Sequence, residues 1–310
     1  MRISNGVKIL VTGGAGFIGS NLVDRLIKDG HEVSVIDNLS TGKRENLNPN
    51  AVFNEIDICD FEKIKPVFQG VDYVFHLAAL PRVPVSVEDP IGTSQTNIMG
   101  TVNVFKAGAD NKVKRIIFAS SSSVYGDQEK FPLAEDMSPR PISPYALQKL
   151  IGEQFGGLFT DLYEMPIISL RFFNIYGPRN DPESDYSLVI AKFLKQNSQG
   201  RPLTIFGDGE QTRGFCYIDD LLEALVKTMA SEKLKGGERI NIANKNSYSV
   251  NYLAKLISDK VEYLPLRKGD VLHTKADISL AKELLGWEPK ISFEEGVEKT
   301  KQWFESGYGK

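Results

Sequence analysis

The most constraining stretch lies near the start of the chain. A short apolar run, Lys8–Thr12, leads directly into Gly13-Gly14-Ala15-Gly16-Phe17-Ile18-Gly19, after which Leu22, Val23, Leu26 and Ile27 recur at helical spacing. Glycines three apart between a strand and a helix have separate physical uses. Gly13 permits the tight turn, Gly16 lets backbone N–H groups approach an anionic ligand, and Gly19 lets the helix pack on the strand. The helix N-terminus adds the positive end of its dipole. The spacing GxxGxxG differs by one residue from the usual dinucleotide fingerprint. A glycine-rich turn with no ligand has the same sequence, so this run alone establishes only a strand–turn–helix unit.

Alternation of strand and helix continues beyond it. Glu32–Ile36, Tyr73–Leu77 and Arg115–Ala119 read as strands buried on both faces. Gly30 stops the first helix, and Asp89-Pro90 opens another with proline at a tolerated first-turn position. The pattern predicts an α/β fold with a doubly wound parallel sheet of Rossmann type. Pro166–Phe172 adds a core strand; past Gly177-Pro178-Arg179 the chain is loop-rich. Asp219-Asp220 reads as the cap of a helix over Leu221–Ala230. Ser292 and Glu295 read as a capping box before a last helix carrying Val297 and Trp303. The expected organisation is a nucleotide-binding domain over 1–172, rejoined by 213–236. A smaller interleaved C-terminal substrate domain takes 173–212 and 237–310, with a cleft between the two.

Bulk properties narrow the function classes. The 310 residues leave ample core for one large or two fused domains, and a net charge of −3 gives no basic field for nucleic acid. Cys59 and Cys216 are a poor disulfide framework, and dispersed histidines and cysteines make no metal cluster. With no apolar run near the roughly 20 residues of a membrane span and no leader-like start, the expectation is a soluble cytoplasmic protein.

Asp37 bears on the use of the glycine loop. It ends the second strand, 18 residues after Gly19, where a carboxylate accepts hydrogen bonds from an adenosine ribose and repels a 2′-phosphate. NAD is therefore favoured over NADP; Lys43 and Arg44 are the counter-signal. A strand-end cap is the plain alternative for Asp37, as is a turn cap for Asp57 and a solvated helix position for Asn97. Tyr145 and Lys149 stand four apart behind Ser143-Pro144, on one face of a helix. A neighbouring ammonium and an oxidised nicotinamide both favour phenolate, which lets the tyrosine serve as acid/base for an alcohol. The cluster Ser120-Ser121-Ser122-Ser123-Val124-Tyr125-Gly126 follows a strand whose end faces the crevice, so its hydroxyls are placed for a sugar oxygen.

Together these residues resemble the extended short-chain dehydrogenase/reductases, and within them the nucleotide-sugar 4-epimerases. The similarity covers essentially the whole chain: GGAGFIG, His76-Leu77-Ala78-Ala79, SSSVYG, SPYALQK, Arg171-Phe172-Phe173-Asn174 and QTRGFCYIDD from Gln211 to Asp220. The resemblance implies an NAD-dependent UDP-sugar 4-epimerase with Tyr145, Lys149 and Ser121 as catalytic residues. It implies cofactor contacts from Gly13, Gly16, Phe17, Ile18, Gly19, Asp37, Asn38, Asp57, Ile58, Leu77, Ala78, Ala79, Asn97, Tyr145, Lys149 and Phe172. Ser122 and Ser123 join Ser121 and Tyr145 as sugar contacts. Asn174, Val189, Phe206, Arg213, Arg267 and Asp270 surround the UDP, the two arginines pairing with the diphosphate. A homodimer is implied, pairing the helices near Pro90–Ala109 and Tyr145–Phe159.

Reaction and sugar are read from departures. The related dehydratases usually carry an Asp-Glu pair at the positions of Ser122-Ser123, and the decarboxylases a glutamate at Ser123; this chain has neither. Matching the C-terminal segment places Thr274 at the position that bounds the sugar pocket, where a tyrosine would exclude N-acetylated sugars. UDP-glucose/UDP-galactose and UDP-N-acetylglucosamine/UDP-N-acetylgalactosamine are thus the expected pairs. The loop Ala79–Ser86 departs from the family pattern, with Arg82 where a small residue is expected and Val85 where arginine is. That leaves room for a uronic acid, so a UDP-glucuronate 4-epimerase or decarboxylase is the alternative enzyme. An NAD-binding regulator is the non-enzyme alternative.

Overall fold

The computed structural model describes residues 6–181, 189–265 and 274–307. Its centre is a parallel sheet of seven strands. Six arise in order: β1 (Lys8–Thr12), β2 (Glu32–Asp37), β3 (Val52–Glu55), β4 (Tyr73–His76), β5 (Arg115–Ser121) and β6 (Ile167–Phe172); the seventh is Arg239–Ile242. Across the sheet the order is Arg239–Ile242, β6, β5, β4, β1, β2, β3. Chain direction across the sheet therefore reverses between β1 and β4, the topology of a doubly wound dinucleotide-binding fold.

Why the strands are apolar on both faces is visible in β1. Ile9 and Val11 enter one core with Leu22, Val23 and Leu26 of helix α1 (Phe17–Lys28), while Leu10 enters the other with Val74, Phe105 and Phe118. Successive side chains of a strand point to opposite faces, so a sheet covered on both sides needs an unbroken apolar run. Asp29 caps α1, and Gly30 turns the chain at a φ of +86° toward β2.

Three expectations need correction. The main sheet takes in Arg239–Ile242, beyond the anticipated return at 213–236, and β3 was not foreseen as a strand. Asp219 and Asp220 lie inside the first turn of the helix Ile218–Ala230, whose N-cap is Tyr217. Asp220 is buried and its carboxylate accepts the N–H groups of Lys290 and Ile291 at 2.8 and 3.1 Å, tying a distant loop instead of capping. Ser292 does accept the Glu295 N–H at 3.1 Å, but the Glu295 side chain pairs with Lys299, so only half of the capping box forms.

Candidate active site

Five strand ends frame the site. Thr12, Asp37, His76, Ser121 and Phe172 close β1, β2, β4, β5 and β6. Parallel pairing sets Thr12 opposite His76 and Ser121 opposite Phe172 on one edge of the sheet, where such folds open their ligand crevice.

The glycines divide the work as the spacing implies. Gly13 has a φ of +74°, and a Cβ there would stand 2.7 Å from the Ala78 nitrogen. A Cβ on Gly19 would overlap the Gly13 carbonyl. On Gly16 it would meet only that carbonyl, at 3.3 Å, so the loop keeps open space above Gly16. This cradle fits a pyrophosphate at the N-terminus of α1. Asp37 is buried beside it, accepting the Ala15 and Leu39 N–H groups at 2.9 and 2.8 Å. Asn38 donates to Asp57 at 2.8 Å, and Cys59 N–H donates to the other oxygen at 2.8 Å. Burial works against the Asp57 charge, but these bonds outweigh it and hold the carboxyl below its ordinary value. The two basic residues that argued against NAD are committed elsewhere. Lys43 lies 3.4 Å from Asp181, and Arg44 pairs with Glu55 over the Phe53 ring.

Behind the cradle runs a buried polar ladder. Ala78 N–H donates to Thr12 Oγ1 at 3.3 Å, and Thr12 Oγ1 lies 2.7 Å from His76 Nδ1. His76 Nε2 lies 2.9 Å from Thr101 Oγ1, whose own proton goes to the Asn97 carbonyl at 2.7 Å. Thr101 has only one proton, so Nε2 carries the histidine hydrogen and Nδ1 accepts from Thr12. Burial, with the nearby Lys149, pushes His76 down to about 3, and the ring is neutral. Asn97 is buried, not solvated: its Oδ1 accepts the Leu80 N–H at 2.8 Å, and its Nδ2 donates to Leu80 O and Gln148 Oε1. The helix relaxes there to i→i+5 bonding over Gln95–Gly100, a geometry often found at functional sites. Asn97 thereby holds the Leu77–Leu80 segment against the helix that carries Tyr145 and Lys149.

That helix spans Pro144–Tyr163, with the Ser143 side chain accepting the Ala146 N–H and Pro144 in its first turn. Tyr145, Lys149 and Glu153, four apart, are all buried. Tyr145 N–H donates to Ser86 Oγ at 3.0 Å, and Ser121 lies near its hydroxyl. Ser121 Oγ accepts from Ser123 N–H at 3.2 Å and Ser123 Oγ at 2.9 Å, which leaves its own proton to donate. Lys149 Nζ donates to Ala119 O at 2.7 Å. Burial pushes Lys149 down to about 7. Burial also raises Tyr145 above its ordinary value, opposed by the Ser121 bond and the Arg82 charge. The Lys149 ammonium lies 5.9 Å from the centre of the Tyr145 ring, one helical turn on.

A cavity of about 200 Å³ brings together three residues expected around a nucleotide, Asn174, Val189 and Arg213, with Ile175, Tyr176 and Phe215. Phe206 ends the strand Leu203–Phe206, under the Lys192 ammonium at 5.1 Å. Thr274 lies alongside: its N–H donates to Thr212 O at 3.1 Å, and its hydroxyl accepts the Gly214 N–H at 3.4 Å. Arg267 and Asp270 lie outside the described residues.

Glu153 and Arg171 were missed as a pair. Glu153 accepts Arg171 Nε and Nη2 at 2.8 and 2.7 Å, and Ser120 Oγ at 2.5 Å. Burial disfavours the Arg171 charge, but Glu153 outweighs it and holds Arg171 above its ordinary value. The available signal was spacing: an acid two turns beyond Tyr145 and one turn beyond Lys149 on the same helical face.

Fold and site together define an NAD-dependent enzyme of the extended short-chain dehydrogenase/reductase class. Residues 9–243 match the model of the NAD dependent epimerase/dehydratase family. The chain belongs to that family. It is similar to the UDP-glucose 4-epimerase of Thermotoga maritima, solved with UDP-glucose: 41% identity, TM-score 0.93, covering 97% of this chain and 100% of that one. It is similar to the UDP-N-acetylglucosamine 4-epimerase of Methanobrevibacter ruminantium, solved with UDP-N-acetylmuramic acid: 40% identity, TM-score 0.93, coverage 98% and 99%. A UDP-glucuronate 4-epimerase of Thermodesulfobacterium geofontis is 40% identical over 314 residues, with 95% of each chain covered. The chain is an NAD-dependent epimerase of the UDP-sugar 4-epimerase group.

Proposed function

We propose that this enzyme inverts carbon 4 of UDP-glucose and UDP-galactose, and of their 2-acetamido counterparts. The observation that carries the chemistry is the buried Tyr145 with the Lys149 ammonium 5.9 Å from its ring, beside a Ser121–Ser123 hydroxyl pair with no carboxylate at positions 122 and 123. A carboxylic acid there would supply the acid for dehydration or decarboxylation; serines only share a proton. Gly16 and Asp37 would hold NAD, which would supply the hydride acceptor and donor for carbon 4. Tyr145 takes the proton of the 4-hydroxyl and Ser121 shortens the path. Lys149 would hold the nicotinamide ribose. The keto sugar turns over and the proton returns through the same tyrosine. Arg213 and Asn174 anchor the uridine diphosphate while the sugar rotates. Thr274, small and beside Arg213, leaves room for an acetamide.

The test is incubation of purified enzyme with UDP-glucose, UDP-N-acetylglucosamine and UDP-glucuronate, with products resolved by NMR and mass. Conserved mass with new galacto-configured products from the first two supports the reading. Loss of carbon dioxide from the third, or turnover of the third alone, overturns it.

A further inference from the structure

The helix carrying Tyr145 is capped twice, once by its own chain neighbour and once from a distant segment. A helix leaves its first N–H groups without partners in its own turn, and a cap side chain satisfies one of them. In the helix Pro144–Tyr163, proline supplies no N–H at the first position. Leu147 N–H reaches Ser143 O at 3.1 Å, and the Ser143 hydroxyl takes the Ala146 N–H at 3.2 Å. Tyr145 N–H is the donor left over. It goes to Ser86 Oγ at 3.0 Å, 59 residues earlier in the chain. Ser86 lies in the short helix Val83–Glu88 and is fully buried. Its one hydroxyl proton goes back to Val83 O at 2.7 Å, so the oxygen meets Tyr145 as an acceptor.

The span that leads to Ser86 is anchored at its other end as well. Asn97 takes the Leu80 N–H at 2.8 Å, returns a bond to Leu80 O at 3.1 Å and donates to Gln148 Oε1 at 2.7 Å. Gln148 Nε2 in turn donates to Thr93 Oγ1 and Ser94 Oγ at 3.0 and 3.1 Å. Residues 80–86 are therefore tied through Asn97 to Gln148 and through Ser86 to Tyr145. Both ties end on the same helix, about one turn apart, and Pro81 and Pro84 restrict the backbone between them.

We propose that Ser86 is a positioning residue of the epimerase: as a cap supplied from outside the helix, it fixes the Tyr145 backbone, and so the place where the phenol meets the sugar hydroxyl. The proposal rests on Tyr145 being the acid/base. Positioning of this kind acts on the chemical step and leaves substrate binding alone; a misplacement of about 1 Å costs up to about a hundredfold in rate.

The experiment is kcat and KM on UDP-glucose for the NAD-loaded enzyme, with Ser86→Ala, Ser86→Cys and Thr228→Val. Thr228 is the control for lost stability: a buried hydroxyl of the helix Ile218–Ala230 that likewise bonds a carbonyl of its own helix, Ala224 O at 2.8 Å. Ser86→Ala lowers kcat about tenfold or more and leaves KM within about threefold. Ser86→Cys, similar in size with a weaker acceptor, falls between alanine and wild type. Thr228→Val keeps the wild-type kcat. In parallel, amide hydrogen exchange of residues 143–150 is followed by mass spectrometry. Ser86→Ala speeds it about tenfold, and Thr228→Val leaves it unchanged. A kcat within about twofold of wild type in Ser86→Ala overturns the proposal. So does an equal loss in Thr228→Val, or a risen KM that accounts for the whole fall in kcat/KM. If Ser86→Ala does not fold, Ser86→Cys is read alone, and a wild-type kcat in it overturns the proposal. If the wild type turns over no UDP-sugar, the functional reading fails, and the exchange measurement still decides whether Ser86 holds Tyr145.

Discussion

Glu153→Gln isolates the value of the buried charge beneath the serine cluster. Glu153 is 1% exposed and Arg171 1%. The carboxylate takes both ends of the guanidinium fork and the Ser120 hydroxyl, while Arg171 lies 4.7 Å from the Tyr125 ring centre. Glutamine keeps the shape, but it removes the charge and turns one acceptor into an NH₂ group facing an N–H. Arg171 Nη1 already lacks a partner, so the arginine has no reserve bond to fall back on. Breaking such a pair costs about 3–5 kcal/mol of a total near 5–15. For a chain of this size that is a fall of roughly 5–8 °C in Tm. Urea unfolding read by far-ultraviolet circular dichroism should show a lower midpoint with an unchanged slope. The control is the double variant Glu153→Leu with Arg171→Met, which removes both buried charges at similar volume, leaves the half-exposed Arg239, 3.5 Å from the carboxylate, to turn to solvent, and should recover most of the loss. The reasoning fails if Glu153→Gln costs less than about 1 kcal/mol, or if the double variant is as unstable as the single.

Four further outcomes are expected. Tyr145→Phe should lower turnover about a hundredfold or more while UDP-sugar binding, measured by calorimetry, persists. Thr274→Tyr should abolish most activity on UDP-N-acetylglucosamine and spare UDP-glucose; equal losses on both would show that Thr274 is not the gate. His76 titrates at about 3 in the fold, below its unfolded value near 6.5, so its stabilisation is complete above that value and lost as pH falls toward 3. Between pH 7.5 and 5.5 the wild type should therefore lose about 1 kcal/mol more than His76→Gln in urea unfolding. Light scattering at micromolar concentration should give a dimer, since Ile91, Met99, Leu147 and Leu158 leave apolar side chains exposed on the two helical segments expected to pair.

What could be read before folding was local chemistry. The strand ends and the glycine loop depend on residues close in sequence, and so does the Tyr145–Lys149 pairing, which is one turn of helix. Asp220 shows the limit. Two acids before an apolar run look like a cap, but whether the carboxylate turns inward depends on Lys290 and Ile291, seventy residues away. Ser86 was hidden for the same reason, because a polar residue among valines acquires its meaning only from its partner, and the spacing of Glu153 from Lys149 says nothing of Arg171. The strand Arg239–Ile242 is four residues long between loops, too short for its period to announce it.

That late strand also constrains how the chain is made. Asn241 within it accepts the Tyr125 hydroxyl at 2.7 Å and donates to Leu133 O and Asp277 O at 2.9 and 3.1 Å, while its N–H meets Glu135. One amide so joins segments that emerge from the ribosome far apart in time. A nascent chain that has completed β6 holds six of the seven strands, with the outer edge of β6 unpaired and Tyr125 and Leu133 still lacking their partner. Until residue 242 has cleared the exit tunnel, that edge is a template for any other extended peptide, and the half-made protein is at its most vulnerable to mispairing.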